Sequence, residues 1–348
     1  MRRPVSSTLL WSPTTGQPRL TSRMRLSRRA LLAAPFLLPA RAKGADTEVA
    51  IAVSSTSFVL GGIRIGEQAG IFQKNGLSSR IIVMDSGNAA LSALLGGSVH
   101  FSVSGPSEIL AARARGQDVV IATNLYRGLA GSLVLSKATI SSLKTTQDIP
   151  IADRLRALDN VVVSEPSATS ALLGPYKAAT EALGAHIRFT YMAQGAMPAA
   201  LENNAIQGMV ASFPFVGTPI IRGTGVLWID GPGGELPAEV LPASSSCAQT
   251  TTAYAKENPD MIRRLRQTVA DIAAFIQADP HAAQRALAAG YPQLSPQDID
   301  LAFRQQWRNW TKPDLTADDM RQELKLLNAS VKLPGLDKLD PALALLPA

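Results

Sequence analysis

The fold of this chain is decided by residues 84–116, MDSGNAALSALLGGSVHFSVSGPSEILAARARG. In this stretch two short apolar runs each end in a polar loop, and each loop opens a segment with leucine and alanine at helical spacing. The first loop is residues 85–88, and the second, residues 104–107, follows the alternating strand pattern of residues 99–103. Such repeated units of strand, loop and helix predict an α/β protein. The loops would lie at the carboxyl ends of parallel strands, where ligands bind.

A weaker copy of this pattern occurs in residues 195–214, where a helical run precedes an apolar run that ends in Ser212, Phe213 and Pro214. The copy follows residues 87–106 at an offset of 107 to 108 positions. The repeat predicts two α/β lobes of similar plan that face each other across a cleft. With 348 residues and 46% apolar side chains, the chain is long enough to build a core in each lobe.

The N-terminus carries the pattern of an export signal. Arg28 and Arg29 precede an apolar run, residues 30–40, which is too short to span a bilayer. The small-x-small pattern predicts cleavage after Ala42, with a position near Ala45 as the second candidate. The arginine pair favours export by the twin-arginine route, and a general secretory signal with an arginine-rich start is the alternative.

The net charge of +7 originates in the same segment. Residues 1–42 contain eight arginines and no acidic residue, so the rest of the chain carries 26 basic and 27 acidic side chains. A nearly neutral mature chain gives no support to a nucleic-acid partner. Residues 1–23 show no periodicity, which makes Met24 an alternative to Met1 as the start. No cysteine follows the apolar run as a lipid attachment site, which favours a soluble periplasmic protein.

The cysteine and histidine residues give no sign of a metal or catalytic site. Cys247 is the single cysteine, which excludes an intrachain disulfide and a cysteine metal site, and we expect it to be buried and inert. The histidines, at positions 100, 186 and 281, are far apart and lack metal-ligand spacing. The sequence therefore predicts no metal, no cofactor and no catalytic residue.

Loops rich in hydroxyl groups supply the candidate ligand-binding residues. Four hydroxyls follow the first predicted strand, residues 47–53, whereas one would be enough to cap the next helix. Hydroxyls provide directional hydrogen bonds without net charge. Together with the two loops of residues 84–116, they give the first lobe these candidates: Ser54, Ser55, Thr56, Ser57, Phe58, Ser86, Gly87, Asn88, Ser104, Gly105, Pro106 and Ser107.

The second lobe would contribute a similar loop after the strand of residues 161–163. Hydroxyls at a helix N-terminus favour an anionic or strongly polar ligand, although an ordinary Ser/Thr cap explains the same pattern. Lining of the cleft and core packing are the two alternatives for Phe213. Near the hinge, Tyr126 or Arg127 would supply the one cation or polar group for a carboxylate, sulfonate or nitrate, and a solvated hinge residue is the alternative for Arg127. The candidates of the second lobe are Ser167, Ala168, Thr169, Ser170, Phe213 and Pro214.

Three segments, GIFQKNGL (residues 70–77), ALLGGSVHFSVSGPSE (93–108) and ARARGQDV (112–119), extend these observations. In this order, within residues 47–330, they resemble the periplasmic substrate-binding proteins of ABC importers. The most similar branch takes up nitrate, alkanesulfonates and taurine, and the same family contains thiamine-pyrimidine-synthesis proteins. The chain departs from the family at His100, where Asp is frequent, and at Gln207 in the second half. The identity of the ligand therefore does not transfer from a relative.

The resemblance implies a type II periplasmic-binding fold, in which two lobes, each a sheet flanked by helices, are joined by a two-strand hinge. Residues 46–130 and 230–330 would form lobe 1, residues 131–229 lobe 2, and residues 331–348 a loosely wrapped C-terminal tail. The hinge strands would be Ser132–Ser136 and Gly225–Ile229.

The function that the resemblance implies is that of an exported, monomeric solute-binding protein without enzymatic activity. It would capture a small anionic or polar organic molecule between the lobes and deliver it to the membrane permease of an ABC transporter, which works with a cytoplasmic ATPase. Closure is driven by the ligand because each lobe holds half of its contacts. An enzyme or a ligand sensor on the same fold, such as a thiamine-pyrimidine-related protein, is the alternative. The related synthases use a Cys-rich segment and an iron-coupled histidine, and this chain, with one cysteine and scattered histidines, lacks both.

Overall fold

Residues 46–310 and 315–347 are described here by a computed structural model of the chain. The predicted export signal, with its twin arginines and the cleavage position after Ala42, lies outside these residues. Within the described part, no helix is long and apolar enough to cross a membrane. The described residues belong to one compact unit.

Ten strands and fourteen α-helices alternate along the described residues. The strands are β1 (Thr47–Val53), β2 (Leu77–Val83), β3 (Phe101–Ser104), β4 (Val120–Arg127), β5 (Ser132–Ser136), β6 (Val162–Glu165), β7 (Arg188–Tyr191), β8 (Gly208–Ala211), β9 (Gly225–Ile229) and β10 (Ser244–Thr250). The helices are α1 (Gly61–Gln68), α2 (Ile71–Lys74), α3 (Gly87–Leu95), α4 (Pro106–Ala114), α5 (Lys137–Leu143), α6 (Ile151–Arg156), α7 (Leu173–Glu181), α8 (Met197–Glu202), α9 (Gly217–Ile221), α10 (Thr252–Glu257), α11 (Pro259–Ala278), α12 (Pro280–Gly290), α13 (Pro296–Gln306) and α14 (Ala317–Ser330).

The strands form two five-stranded sheets of the same plan, with the orders β2-β1-β3-β10-β4 and β7-β6-β8-β5-β9. In each sheet the first three strands are parallel and the fourth is antiparallel to its neighbours. Helices flank both sheets, which confirms the predicted α/β fold of two similar lobes. The parallel strands place their carboxyl ends at one edge of each sheet, as residues 84–116 predicted.

The two strands expected to form the hinge, β5 and β9, pair with each other inside the second sheet. The chain passes between the sheets in residues 128–131 and 230–243, on either side of these strands. The two passages touch, because the backbone N–H of Gly128 donates to the carbonyl of Ala243 at 3.0 Å. The proposed division into lobes at residues 131 and 229 stays a prediction.

The two departures from the family pattern, His100 and Gln207, hold equivalent places in the two sheets. The backbone N–H of Ala50 donates to Nδ1 of His100 at 3.0 Å, and that of Val162 donates to Oε1 of Gln207 at 2.8 Å. In return, the N–H groups of His100 and Gln207 donate to the carbonyls of Ala50 and Val162. Each of the two residues therefore adds one further pair of reciprocal hydrogen bonds to a pair of parallel strands.

The C-terminal residues are anchored, which corrects the expectation of a loosely wrapped tail. Leu336 and Ala344 are buried. The backbone N–H of Leu346 donates to the carbonyl of Ile121 at 3.0 Å, and Arg266 donates to the carbonyl of Leu346 at 2.9 Å. Leucine side chains of the tail cover the apolar surface at the β4 edge of the first sheet, and this burial holds the tail against β4.

We predict that Gly231→Ala destabilises the protein through the two passages. A Cβ atom at position 231 would lie 1.8 Å from the carbonyl oxygen of Gly131, so the backbone has to move apart. Overpacking of this kind costs about 1–3 kcal/mol, which lowers the melting temperature by several degrees in thermal denaturation. Gly195→Ala is the matched control, because its Cβ would meet only Phe215, at 3.8 Å. Equal melting temperatures of the two variants would contradict the prediction.

Candidate functional site

A cleft with about 590 Å³ of empty space lies between the two sheets, at the carboxyl ends of their parallel strands. Loops from both lobes line it. Eight of the residues predicted from the sequence are among its walls: Ser54, Ser55, Ser57, Ser86, Gly87, Gly105, Ser167 and Ser170. The three loops of the first lobe and the loop after β6, which the sequence pattern located, therefore lie together at the cleft.

Other predicted residues lie next to these loops without lining the cleft. Thr56 and Asn88 are exposed, and Ala168 is half-buried. The buried members of this group are Phe58, Ser104, Pro106, Ser107, Thr169, Phe213 and Pro214. Contact of these residues with a ligand stays a prediction.

Tyr126 and Arg127, the candidates near the hinge, have partners within the protein. Tyr126 is fully buried, and its hydroxyl accepts a hydrogen bond from Nδ2 of Asn309 at 3.0 Å. Arg127 forms a two-pronged ion pair with Asp319 of α14, with both N–O distances at 3.3 Å. Neither side chain lines the cleft.

The loop of residues 54–58 is held from both lobes. The N–H of Phe58 donates to the carbonyl of Phe213, which follows β8 in the second sheet, at 2.6 Å. The indole N–H of Trp310 donates to the carbonyl of Phe58 at 3.1 Å, and the hydroxyl of Tyr291 donates to that of Ser57 at 3.3 Å. These bonds fix the backbone, so the hydroxyls of the loop are presented to the cleft in one arrangement.

Several of the hydroxyls also satisfy local backbone groups, as the capping alternative proposed. Ser86 accepts from the N–H of Ala89 and caps α3, and Ser170 accepts from the N–H of Leu172. Each of these hydroxyls keeps its own O–H for donation. By contrast, the hydroxyl of Ser57 is buried and has no hydrogen-bond partner among the described residues, so it makes no cap.

The loop after β6 does not cap a helix, which corrects the expectation from the sequence. The helix α7 begins at Leu173, several residues later than predicted, and has no side-chain cap. Residues 167–172 instead form turns in which the N–H of Ser170 donates to the carbonyl of Ser167. The argument that a helix N-terminus favours an anion therefore does not apply to this loop.

Sequence reasoning missed several residues of the cleft wall. They are Val59, Asp85, Glu108, Pro166, Ala171, Leu172, Gln194, Ser212 and Ser245. The amide oxygen of Gln194 accepts from both the N–H and the hydroxyl of Ser212, at 2.8 and 3.0 Å, which leaves its NH₂ group as a donor. Gln194 follows β7, so the rule that ligands bind after parallel strands could have found it.

Glu108 is the third residue of α4, and its carboxyl group lies in the cleft wall with only 8% of the residue exposed. Burial raises the pKa of this carboxyl to about 8, although the nearby backbone groups of Glu108 and Gly105 act in the opposite direction. Its Oε2 atom has no hydrogen-bond partner among the described residues. Arg, Lys and His are absent from the described cleft lining, which contains Asp85 and Glu108.

The lobes approach closely at Gly105 and Ala171. A Cβ atom at position 105 would lie 2.5 Å from the Cβ of Ala171 in the opposite lobe. Only glycine permits this approach, so the described arrangement is a closed cleft.

The described residues contain no group of three His, Cys, Asp or Glu side chains that could hold a metal ion. Cys247 is fully buried in β10, and its thiol donates to the carbonyl of Ser104 at 3.5 Å. Burial raises the pKa of this thiol. A thiol in this position is protonated and shielded, which makes it a poor nucleophile.

Residues 57–147 match the family model described as NMT1/THI5 like. A protein from Bordetella bronchiseptica RB50 is 21% identical over 87% of this chain and 95% of its own, with a TM-score of 0.71. The alkanesulfonate-binding protein SsuA from Xanthomonas axonopodis pv. citri, bound to MOPS, is 14% identical over 84% of this chain and 97% of its own, with a TM-score of 0.64. The chain has the fold of a periplasmic binding protein. This confirms the resemblance seen in the sequence at the level of the fold.

The same fold also occurs in a variant of DszB in complex with biphenyl-2-sulfinic acid. That protein is 11% identical over 84% of this chain and 96% of its own, with a TM-score of 0.54. No curated protein sequence matches the chain. Identities this low show the periplasmic-binding fold and leave the ligand to be argued from the cleft itself.

A second buried carboxyl, that of Glu323 on α14, lies in the same lobe. The residue is 1% exposed, and its Oε1 accepts from the N–H of Ser244 at 3.1 Å. Burial raises its pKa to about 7, and the charge of Glu323 contributes in turn to the raised pKa of Glu108.

We predict that the free energy of unfolding falls as the pH rises from about 5 to 8. In the unfolded chain these carboxyls ionise near 4.5, whereas the folded protein holds their protons up to about 7 for Glu323 and about 8 for Glu108. The folded state binds more protons in this window, so each carboxyl contributes a slope of up to about 1.4 kcal/mol per pH unit.

Urea denaturation at several pH values measures this slope. Glu323→Gln removes one contribution and should make the slope shallower below pH of about 7. Glu257→Gln, at an exposed position of α10, should leave it unchanged. An unaltered slope in Glu323→Gln would contradict the assignment.

Proposed function

We propose that this protein is the exported solute-binding component of an ABC importer, acting in the periplasm as a monomer. It captures a small polar organic molecule in the interlobe cleft and presents the closed form to the permease, whose transport is driven by a cytoplasmic ATPase. The observation that carries this proposal is the cleft between two lobes of the same plan, with hydroxyl groups from both lobes on its walls.

Closure and binding are coupled through contacts that exist only when the lobes meet. The bond from Phe58 to Phe213 and the approach of Gly105 to Ala171 join the rims of the cleft. A ligand that touches Ser57 on one side and Ser167 on the other adds contacts to the closed form alone. It therefore shifts the population of the protein towards this form, which the permease can distinguish from the open one.

The cleft supports a binding protein better than an enzyme. Its walls in the described chain hold hydroxyls, one amide and two carboxyl groups, with neither cysteine nor histidine. Cys247 is buried in β10, where it pairs with Ser104 of β3. The structure with this fold bound to MOPS, a sulfonate, supports a small polar organic solute as the ligand class, and the complex of DszB with a sulfinic acid is a further example of a small organic molecule in this fold.

A thermal-shift screen tests the proposed function. The panel contains nitrate, alkanesulfonates, carboxylates, amino-bearing sulfonates and carboxylates, and aminopyrimidines. A ligand at 100 times its dissociation constant stabilises the folded protein by about 2.7 kcal/mol, which raises the melting temperature by a few degrees.

Variants on each side of the cleft locate the binding site. We expect Ser57→Ala and Ser167→Ala each to reduce the shift that a hit produces. Ser92→Ala is the matched control, because this serine lies on the exposed face of α3 and donates to the carbonyl of Asn88. A hit that all three variants retain equally would contradict binding in the interlobe cleft.

A further inference from the structure

The charges around the cleft differ from those that an anionic ligand needs. Asp85 and Glu108 are the ionisable residues of the described lining, and neither is balanced there by a cationic side chain. Arg127, which the sequence offered as the cation, is engaged by Asp319. A purely anionic molecule would meet two carboxyl groups and would depend on hydroxyl and amide donors alone.

The carboxyl group of Glu108 is part of the cleft wall and does not extend into the cleft from the protein surface. A Cβ atom at Gly105 would lie 2.8 Å from its Oε2, and one at Gly87 would lie 3.0 Å from its Oε1. The carboxyl group thus lies between two loops of the first lobe, and the same Cβ of position 105 would meet Ala171 of the second lobe. Its Oε2 therefore adjoins the place where the lobes close.

The unpartnered Oε2 of Glu108 is an acceptor that the protein leaves unused. Buried carboxyl oxygens are almost always hydrogen-bonded, and leaving one without a donor is unfavourable. A donor on the ligand would satisfy this oxygen at the moment when closure removes the remaining water. The hydroxyls of Ser54, Ser57 and Ser167 would remain for the polar groups at the other end of the ligand.

We infer that the ligand carries a nitrogen donor, an amino or amidino group, which the carboxyl of Glu108 binds at the wall of the cleft. This inference rests on the proposed function and adds the chemical class of the solute. The ligand is then a cationic or zwitterionic small molecule, and a simple anion binds more weakly than its amino-substituted counterpart.

Proton release gives the inference a second readout. The charge of Glu323, on α14, opposes the ionisation of Glu108, and the charge of Glu108 raises in turn the pKa of the Cys247 thiol on β10. Asp85 is the other ionisable residue of the described cleft lining. A cationic nitrogen on the ligand favours the ionised carboxylate of Glu108. Binding near neutral pH therefore releases the proton of this carboxyl, and the affinity increases as the pH rises from about 6 to 8. A protonated carboxyl that donates to an anion gives the opposite pH dependence.

The experiment uses isothermal titration calorimetry with matched pairs of probes. The pairs are taurine with ethanesulfonate, β-alanine with propionate, and benzylamine with benzyl alcohol. In at least one pair we expect the amino member to bind about tenfold tighter or more, as a charge-assisted hydrogen bond requires, with proton release shown by titration in two buffers. Glu108→Gln should abolish this preference, and Glu323→Gln, a buried carboxyl of the same lobe outside the cleft lining, should retain it.

Three results would overturn the inference. If the members without nitrogen bind as tightly as the amino members, the inference fails while the proposed function stands. If the amino preference survives Glu108→Gln, Glu108 is not the group that binds the nitrogen. If no probe of either kind binds, both the inference and the proposed function are contradicted. If circular dichroism shows that Glu108→Gln does not fold, the natural protein alone tests the inference, through its preference for the amino member of each probe pair and its proton release on binding.

Discussion

The backbone hydrogen bond from Phe58 to Phe213 is the interaction on which the rest of the site depends. It joins a loop of the first lobe to the residue that follows the second lobe's β8. Trp310 and Tyr291 hold the same loop from the opposite side, and the rings of Phe58 and Tyr291 lie edge to face with centroids 4.6 Å apart. These contacts fix the backbone of the loop, and within it the hydroxyl of Ser55 accepts from the N–H of Ser57 at 3.1 Å.

The way the chain passes between the sheets is the second constraint. Each sheet completes its three parallel strands with one antiparallel strand in fourth place, β10 in the first sheet and β5 in the second. The first of these comes from the far end of the chain, after the second sheet is finished, so the first sheet is formed by two separate segments and the second by one continuous segment. The two passages are in close contact at Gly131 and Gly231, which constrains how the two sheets are placed relative to each other.

The sequence predicted the parts of this structure that local patterns control. Strand alternation and helical spacing located β3, α3 and α4, and the polar loops after β1, β2, β3 and β6 contain the eight predicted residues of the cleft wall. The rest depends on contacts between distant positions. The pairing of Arg127 with Asp319 spans 192 residues. The carboxyl of Glu108 lies beside the loops of Gly87 and Gly105, and the burial of this place depends on the close approach of Ala171 from the opposite lobe. In the sequence Glu108 is only an acid in the first turn of a helix, which is the ordinary place for one.

Closure of the two lobes around a small molecule is the step on which the proposed function depends. A distance measurement between spin labels tests it most directly, with Ser92→Cys in the first lobe and Asn203→Cys in the second, both at exposed positions, while Cys247 is buried and unreactive. With the probe that gives the largest thermal shift, we expect the distance distribution to become shorter and narrower than in the free protein. A distribution that the bound probe leaves unchanged would contradict closure as the consequence of binding.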